Sequence, residues 1–172
     1  MRTRFLLLTI VPLVLLCSCG SKQAGQEQAE KEQAEKEQAA SVMATGQINS
    51  ALSSYSEDIQ SSVKSLDLRI GETTQVPVTL KNTGPAVWAS GGKAPINLSY
   101  RWFDDGKRLP IEGERTILPA PLPPGQSVNL QAKVVAPPSA GHFTLRICLV
   151  QEGVTWFIDA GAQPLDLPVD VH

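Results

Sequence analysis

Three thiols, two imidazoles and two small groups of acids are the side chains of this chain that could do chemistry. Cys148 lies in the apolar run Leu145-Arg146-Ile147-Cys148-Leu149-Val150. A nucleophilic thiol needs an electropositive, accessible setting. Arg146 merely shares a strand face with Cys148 at i, i+2, so Cys148 reads as a core residue. His142 and His172 lie far apart in sequence, and no Cys or His spacing matches a metal site, so neither a metal nor a cofactor is expected. Asp104-Asp105 with Glu112 and Glu114 could form an acid–base pair, but that chemistry needs two carboxyls facing one pocket. Asp104-Asp105 instead precedes Gly106 at a hairpin-turn signal, where Asp is favoured for backbone reasons. No G-x-S-x-G elbow, phosphate loop or H-E-x-x-H run occurs. The pattern points away from an enzyme.

Trp88, Tyr100, Trp102 and Trp156 could together floor a sugar-stacking platform. Leu98, Tyr100 and Trp102 alternate on one strand face, so Trp102 reads as a core residue, with Arg101 on the opposite, solvent-facing side. Trp88 and Trp156 fall near loops and read as caps of the domain's ends. Trp156 and Phe157 follow a turn at Glu152-Gly153. As neighbours on one strand they point to opposite faces, so at most one enters the core by its direction. That makes the pair the candidate recognition surface. Arg115 is the third candidate ligand-binding residue. The competing reading has it bonding loop carbonyls or Glu152.

The N-terminus carries a separate chemistry. Arg2 and Arg4 precede an apolar run over residues 5–16, which is too short for a ~30 Å hydrocarbon core and is laid out as a removed targeting segment. The run ends Leu16-Cys17-Ser18-Cys19, which resembles the lipobox of bacterial lipoproteins. The resemblance implies cleavage before Cys19 and acylation of its thiol and new amine. Cys17 does not fit, because Leu16 is too bulky for the cleaved position. Each buried CH₂ adds about 0.8 kcal/mol, and several chains anchor firmly where one does not. Gly20 stands where an Asp would resemble an inner-membrane retention signal, so the outer membrane, facing the periplasm, is the expected location.

Residues 20–45 are low in complexity, and residues 27–39 repeat Glu-Gln-Ala-Glu-Lys. These are good helix formers, with favourable i, i+4 pairs at Glu27–Lys31 and Glu32–Lys36. The alanines recur every five positions and spiral around a helix of about 3.6 residues per turn, so no coiled-coil seam forms. The expectation is a partly helical, solvated spacer. Over residues 46–60, Ile48, Leu52 and Tyr55 have helical spacing, and a short amphipathic helix and a leading strand both remain open.

Beyond residue 62 the period becomes two. Alternating runs occur at 63–70, 76–82, 96–102, 128–134, 143–149 and 165–171, with shorter ones at 117–118 and 154–158, punctuated by Gly, Pro, Asn and Asp. Such spacing predicts an all-β, antiparallel β-sandwich. Asn82-Thr83-Gly84, Trp88, Tyr100-Arg101-Trp102, Gly113-Glu114-Arg115-Thr116, Gly141-His142-Phe143-Thr144-Leu145 and Val150-Gln151-Glu152-Gly153 follow in order. This pattern resembles the immunoglobulin-like modules appended to bacterial envelope glycosyltransferases and methyltransferases. It is more distantly similar to the O-antigen-binding sandwich of polysaccharide-exporting ATPases. The match covers about residues 70–172, carries no enzyme domain, and has Phe143 where such folds often place a Tyr.

The expected organisation is a signal peptide over 1–18, a lipidated N-terminus and linker over 19–61, and an immunoglobulin-like sandwich over 62–172. The net charge of −2, with no basic cluster, argues against nucleic acid. The expected partners are the membrane, through the lipid, and an envelope glycan or protein. The alternative is an envelope spacer or assembly factor.

Overall fold

A computed structural model describes residues 20–172. The chain divides into two compact units, Met1–Ala34 and Glu35–His172. The signal peptide and the lipidated Cys19 expected over residues 1–19 lie outside the described residues. Among the described residues, no helix is long and apolar enough to cross a membrane.

The repeat forms one helix, α1 (Gly20–Thr45). Its side chains over 28–38 are exposed, as a repeat without an apolar stripe requires. The last turns differ from the solvated spacer expected there, because Val42 is buried in the core and Ala39 packs against it. Gly46 ends the helix at φ 67°, donating its N–H to Val42 O at 2.7 Å. This is the left-handed stop that glycine makes without steric cost.

Strands follow in chain order: β1 (Gln47–Ile48), β2 (Glu57–Gln60), β3 (Leu66–Leu68), β4 (Thr73–Asn82), β5 (Gly91–Gly92) and β6 (Ile96–Asp104). Then come β7 (Lys107–Arg108), β8 (Thr116–Ile117), β9 (Ser127–Val135), β10 (Gly141–Gln151), β11 (Thr155–Trp156) and β12 (Leu165–Val171). One sheet has the order β2-β4-β9. The other runs β3-β12-β10-β6-β7, with β8 also on β6 and β11 also on β10. A small parallel pair joins β1 to β5. The result is the all-β sandwich the periodicity predicts, antiparallel except for β1–β5 and for β3 beside β12.

The residues between 46 and 60 do not form a helix. Ile48 and Leu52 enter the core from extended chain, and β2 pairs with β4 from Glu57↔Asn82 to Gln60↔Thr79. Pro77, which has no N–H to donate, sits in β4 beyond the end of β2, where no ladder bond is lost. Ser61 Oγ donates to its carbonyl at 2.6 Å. Ile70 falls after β3 in a turn and is exposed, so the alternation ends two residues earlier than the sequence reads.

The core lies between the sheets. Tyr100 and Trp102 are buried from β6, and their polar tips meet β9: Val135 N–H donates to Tyr100 Oη at 3.0 Å, and Trp102 Nε1 donates to Val135 O at 3.1 Å. Two buried amides fasten the loops. Asn82 donates to Ala86 O and Leu122 O and accepts from Gly84 N. Gln151 donates to Ser50 O and accepts from Leu52 N and Tyr55 Oη, which ties the N-terminal segment to the end of β10. Asp104↔Lys107 closes the β6–β7 hairpin, with Asp105 and Gly106 both at positive φ.

Candidate functional site

Trp156 is the one tryptophan of three that does not belong to the core. Trp88 and Trp102 are 1% and 0% exposed, whereas Trp156 is half-buried on the outer face of the large sheet. Its position follows from a short strand and a sharp change of path. β11 pairs Trp156 with Val150, and the chain then turns through a 3₁₀ helix, Phe157–Ala160. The sequence predicted a strand through residue 158. The 3₁₀ turn replaces its second half and drives Phe157 into the core, edge-on to Tyr55 at 4.9 Å and to Trp88 at 5.5 Å. Phe157, expected at the recognition surface, is therefore corrected to a core residue, and the outer position falls to Trp156 alone.

Two guanidiniums lie over the Trp156 ring, Arg101 at 4.2 Å and Arg115 at 5.1 Å. The expectation that Arg101 faces solvent is overturned, since it is only 6% exposed. Its two Nη atoms bond both carboxylate oxygens of Asp159, at 2.7 and 2.8 Å. This bidentate fork holds the 3₁₀ turn against β6. Arg101 also keeps the Asp159 carboxyl below its usual range, chiefly through that hydrogen bond.

Arg115 is held on all sides. Nε donates to Glu152 Oε1 at 2.7 Å, Nη2 to Glu112 Oε1 at 2.8 Å, and Nη1 to Gly113 O at 2.7 Å. These are the loop carbonyl and the Glu152 that the competing reading named. Burial pushes Glu152 upward, but the hydrogen bonds from Arg115 and Asn97 outweigh it and leave that carboxyl low. The loop reaches Arg115 only because Gly113 runs hard against β6: a Cβ there would stand 2.2 Å from Tyr100 O.

A third guanidinium continues the row. Arg146 lies directly across from Arg101 on β10, over the Phe103 ring at 4.4 Å, and forks onto Asp166. Facing like charges oppose pairing, and here each cation has its own carboxylate. Cys148 is buried behind them, and burial pushes its thiol far up, away from nucleophilic character. The face is thus a band of arginines, aromatics and carboxylates.

Sequence reasoning had singled out Trp156 and Arg115, which the structure places side by side. It missed Arg101 and Asp159, for nothing in a period-two pattern marks an outward residue that a later turn will cover.

No protein-family model matches this chain, and no curated protein does. Solved structures do. The CARDB domain of a Pyrococcus furiosus protein, solved in complex with di-metal ions, aligns at TM-score 0.40 and 11% identity, over 71% of this chain and 97% of that one. A β-glucosidase from Listeria innocua aligns at TM-score 0.39 and 13% identity, over 67% of this chain and 16% of the enzyme. The sporulation control protein Spo0M of Bacillus subtilis aligns at TM-score 0.38 and 14% identity, over 70% and 51%. At such values these similarities assign no ligand or activity to this chain.

Proposed function

We propose that this chain is a membrane-anchored, non-catalytic binding module of the bacterial envelope, with the outer face around Trp156 as its recognition surface. The anchor is the lipid on Cys19, the helix is a spacer, and the sandwich faces the periplasm from the outer membrane. The ligand is an envelope protein or polysaccharide. The observation that carries the reading is the placement of Trp156, half-buried and flanked by Arg101 and Arg115, while the other two tryptophans are buried. Trp and Arg are the residues that most often dominate binding energy at interfaces, and here both are held in place before a partner arrives.

A second reading has its own support. Arg101 and Arg115 already donate to Asp159, Glu152, Glu112 and Gly113, so the band is closed on itself. An envelope spacer needs no more than that.

One experiment separates them. The full chain, its Cys19→Ser variant and its Trp156→Ala variant are expressed in a bacterial host, and the envelope is fractionated and crosslinked. The wild type is expected in the membrane fraction with added acyl mass, and Cys19→Ser uncut and without it. Trp156→Ala should stay folded and anchored but lose the crosslinked or glycan-array partners of the wild type. An unacylated wild-type chain sinks the anchor. Partners unchanged by Trp156→Ala sink the recognition surface and leave the spacer.

A further inference from the structure

The strand register extends the face around Trp156 across the large sheet. Trp156 on β11 stands opposite Val150 on β10, Val150 opposite Asn97 on β6, and Asn97 opposite Ile117 on β8. Directly opposed residues point to the same side of a sheet, so Ile117 shares the outer face with Trp156. Neighbouring strands lie about 4.8 Å apart, which puts the two backbones about 14 Å apart across three such steps. Val150 and Asn97, between them, are buried. The Asn97 amide donates to Glu152 Oε1, the oxygen that also accepts from Arg115 Nε.

Ile117 is 67% exposed, the most exposed large apolar side chain among the described residues. Val154, in the turn that leads to Trp156, is exposed as well. Single apolar residues in water are ordinary, but here they stand at the two ends of one row, beside a half-buried tryptophan.

We infer that this face, on the reading of Trp156 as a recognition surface, takes a protein rather than a glycan: one that covers Ile117, Val154 and Trp156 with apolar side chains and brings a basic residue to Glu112. A sugar recognised by stacking needs an open aromatic face. Arg101 and Arg115 lie over the Trp156 ring at 4.2 and 5.1 Å, each held by carboxylates, so the ring area they cover is closed to a sugar. Ile117 and Val154 offer no stacking plane, whereas apolar side chains of a protein remove both from water.

Charge sets the character of that protein. Around the row, Glu112, Glu114 and Glu152 stand against Arg115 and Lys133, three acids to two bases. In the Arg115–Glu112 pair the acid is the outer member, 66% exposed against 28% for the guanidinium. All three nitrogens of Arg115 already donate, while Glu112 takes its bond through one oxygen and leaves the other for a cation.

The test places a photo-crosslinking residue at position 117, 154 or 70 of the full chain in its own host. Ile70 is also exposed but lies in the turn after β3. The expected result is one protease-sensitive adduct from 117 and from 154 and none from 70, lost when Trp156→Ala is added. The crosslinked peptide, read by mass spectrometry, should carry apolar side chains beside a Lys or Arg. With that protein purified, Ile117→Ser and Glu112→Lys should each weaken binding about tenfold or more, as the few residues that dominate an interface do. Glu112→Lys should also reduce the weakening of binding by added salt. Both positions are exposed, and unchanged urea midpoints confirm folding. Adducts to a glycan, to lipid or to a second copy of this chain overturn the inference, as does an anchored wild type that gives none at 117. A glycan ligand lost on Trp156→Ala, with no protein adduct at 117, overturns the inference alone and leaves the recognition surface standing. A protein adduct at 117 that Trp156→Ala leaves unchanged removes Trp156 from recognition and overturns both.

Discussion

β4 and β6 are both long strands with neighbours on each side, yet they are buried differently. β4 alternates cleanly, with Val76, Val78, Leu80 and Asn82 buried and Gln75, Pro77, Thr79 and Lys81 exposed. β6 is buried on both faces from Ile96 to Trp102. The outer face of β4 meets solvent. That of β6 is covered by the Arg115 loop, by Trp156 and by the 3₁₀ turn that Asp159 fastens to Arg101. A polar outward residue is therefore a surface residue in one sheet and an interior one in the other. This is how a sandwich gains a built polar face without any change in its core periodicity.

Four substitutions probe that contrast, from the largest effect to the smallest. Trp102→Ala empties the inner side of β6. A fully buried aromatic lost from a core costs about 3–5 kcal/mol, so urea unfolding of the full chain should show its midpoint falling steeply. A small effect would mean that the inner faces do not carry the domain.

Glu57→Gln tests an acid that links the sheets. Glu57, on β2, accepts the Leu149 N–H at 3.0 Å. It fills the stretch of β10 left unpaired between β12, which ends at Ile147↔Leu165, and β11, which begins at Val150↔Trp156. Its second oxygen is buried without a partner, and burial raises its pKa from 4.5 to about 8, against a smaller lowering by the Leu149 bond. Between those values the folded chain holds a proton that the unfolded chain has released, so wild-type stability should fall as pH rises from about 4.5 to 8. The variant should lack that slope and be the more stable by a few kcal/mol at pH 8, since each tenfold change in proton affinity is worth about 1.4 kcal/mol. Parallel pH curves for the two proteins would show that Glu57 is hydrated.

The smallest effects come from the outer faces themselves. Arg101→Ala removes a buried guanidinium and strands Asp159, which is half exposed and can rehydrate. Hydrogen bonds to charged groups contribute about 1.5–3 kcal/mol, so a loss of about 1–3 kcal/mol is expected. Gln131→Ala, outward on β9, should stay within about 0.5 kcal/mol. Equal costs for the two would erase the difference between the sheets.

The alternation of residues 76–82, 128–134 and 165–171 was enough to place β4, β9 and β12, because a half-buried strand writes its two faces into side-chain type. The Asp105-Gly106 turn was legible for the same local reason, a backbone with positive φ at both positions. The Glu-Gln-Ala-Glu-Lys repeat announced its helix by propensity alone. Other features depend on segments that meet only after folding. Arg101 is interior because residues 156–160 cross above it, and Phe157 is core because a strand gives way to a 3₁₀ turn. Gln151 matters because it reaches residues some hundred positions away. The two histidines share a sheet end because β10 and β12 pair in one particular register. Sequence by itself determined the periods, the turns and the apolar content of this protein, which are properties of neighbours along the chain. Only the tertiary structure decided which outward-facing residues are covered and which distant side chains meet, because those depend on register and on the path of loops between strands.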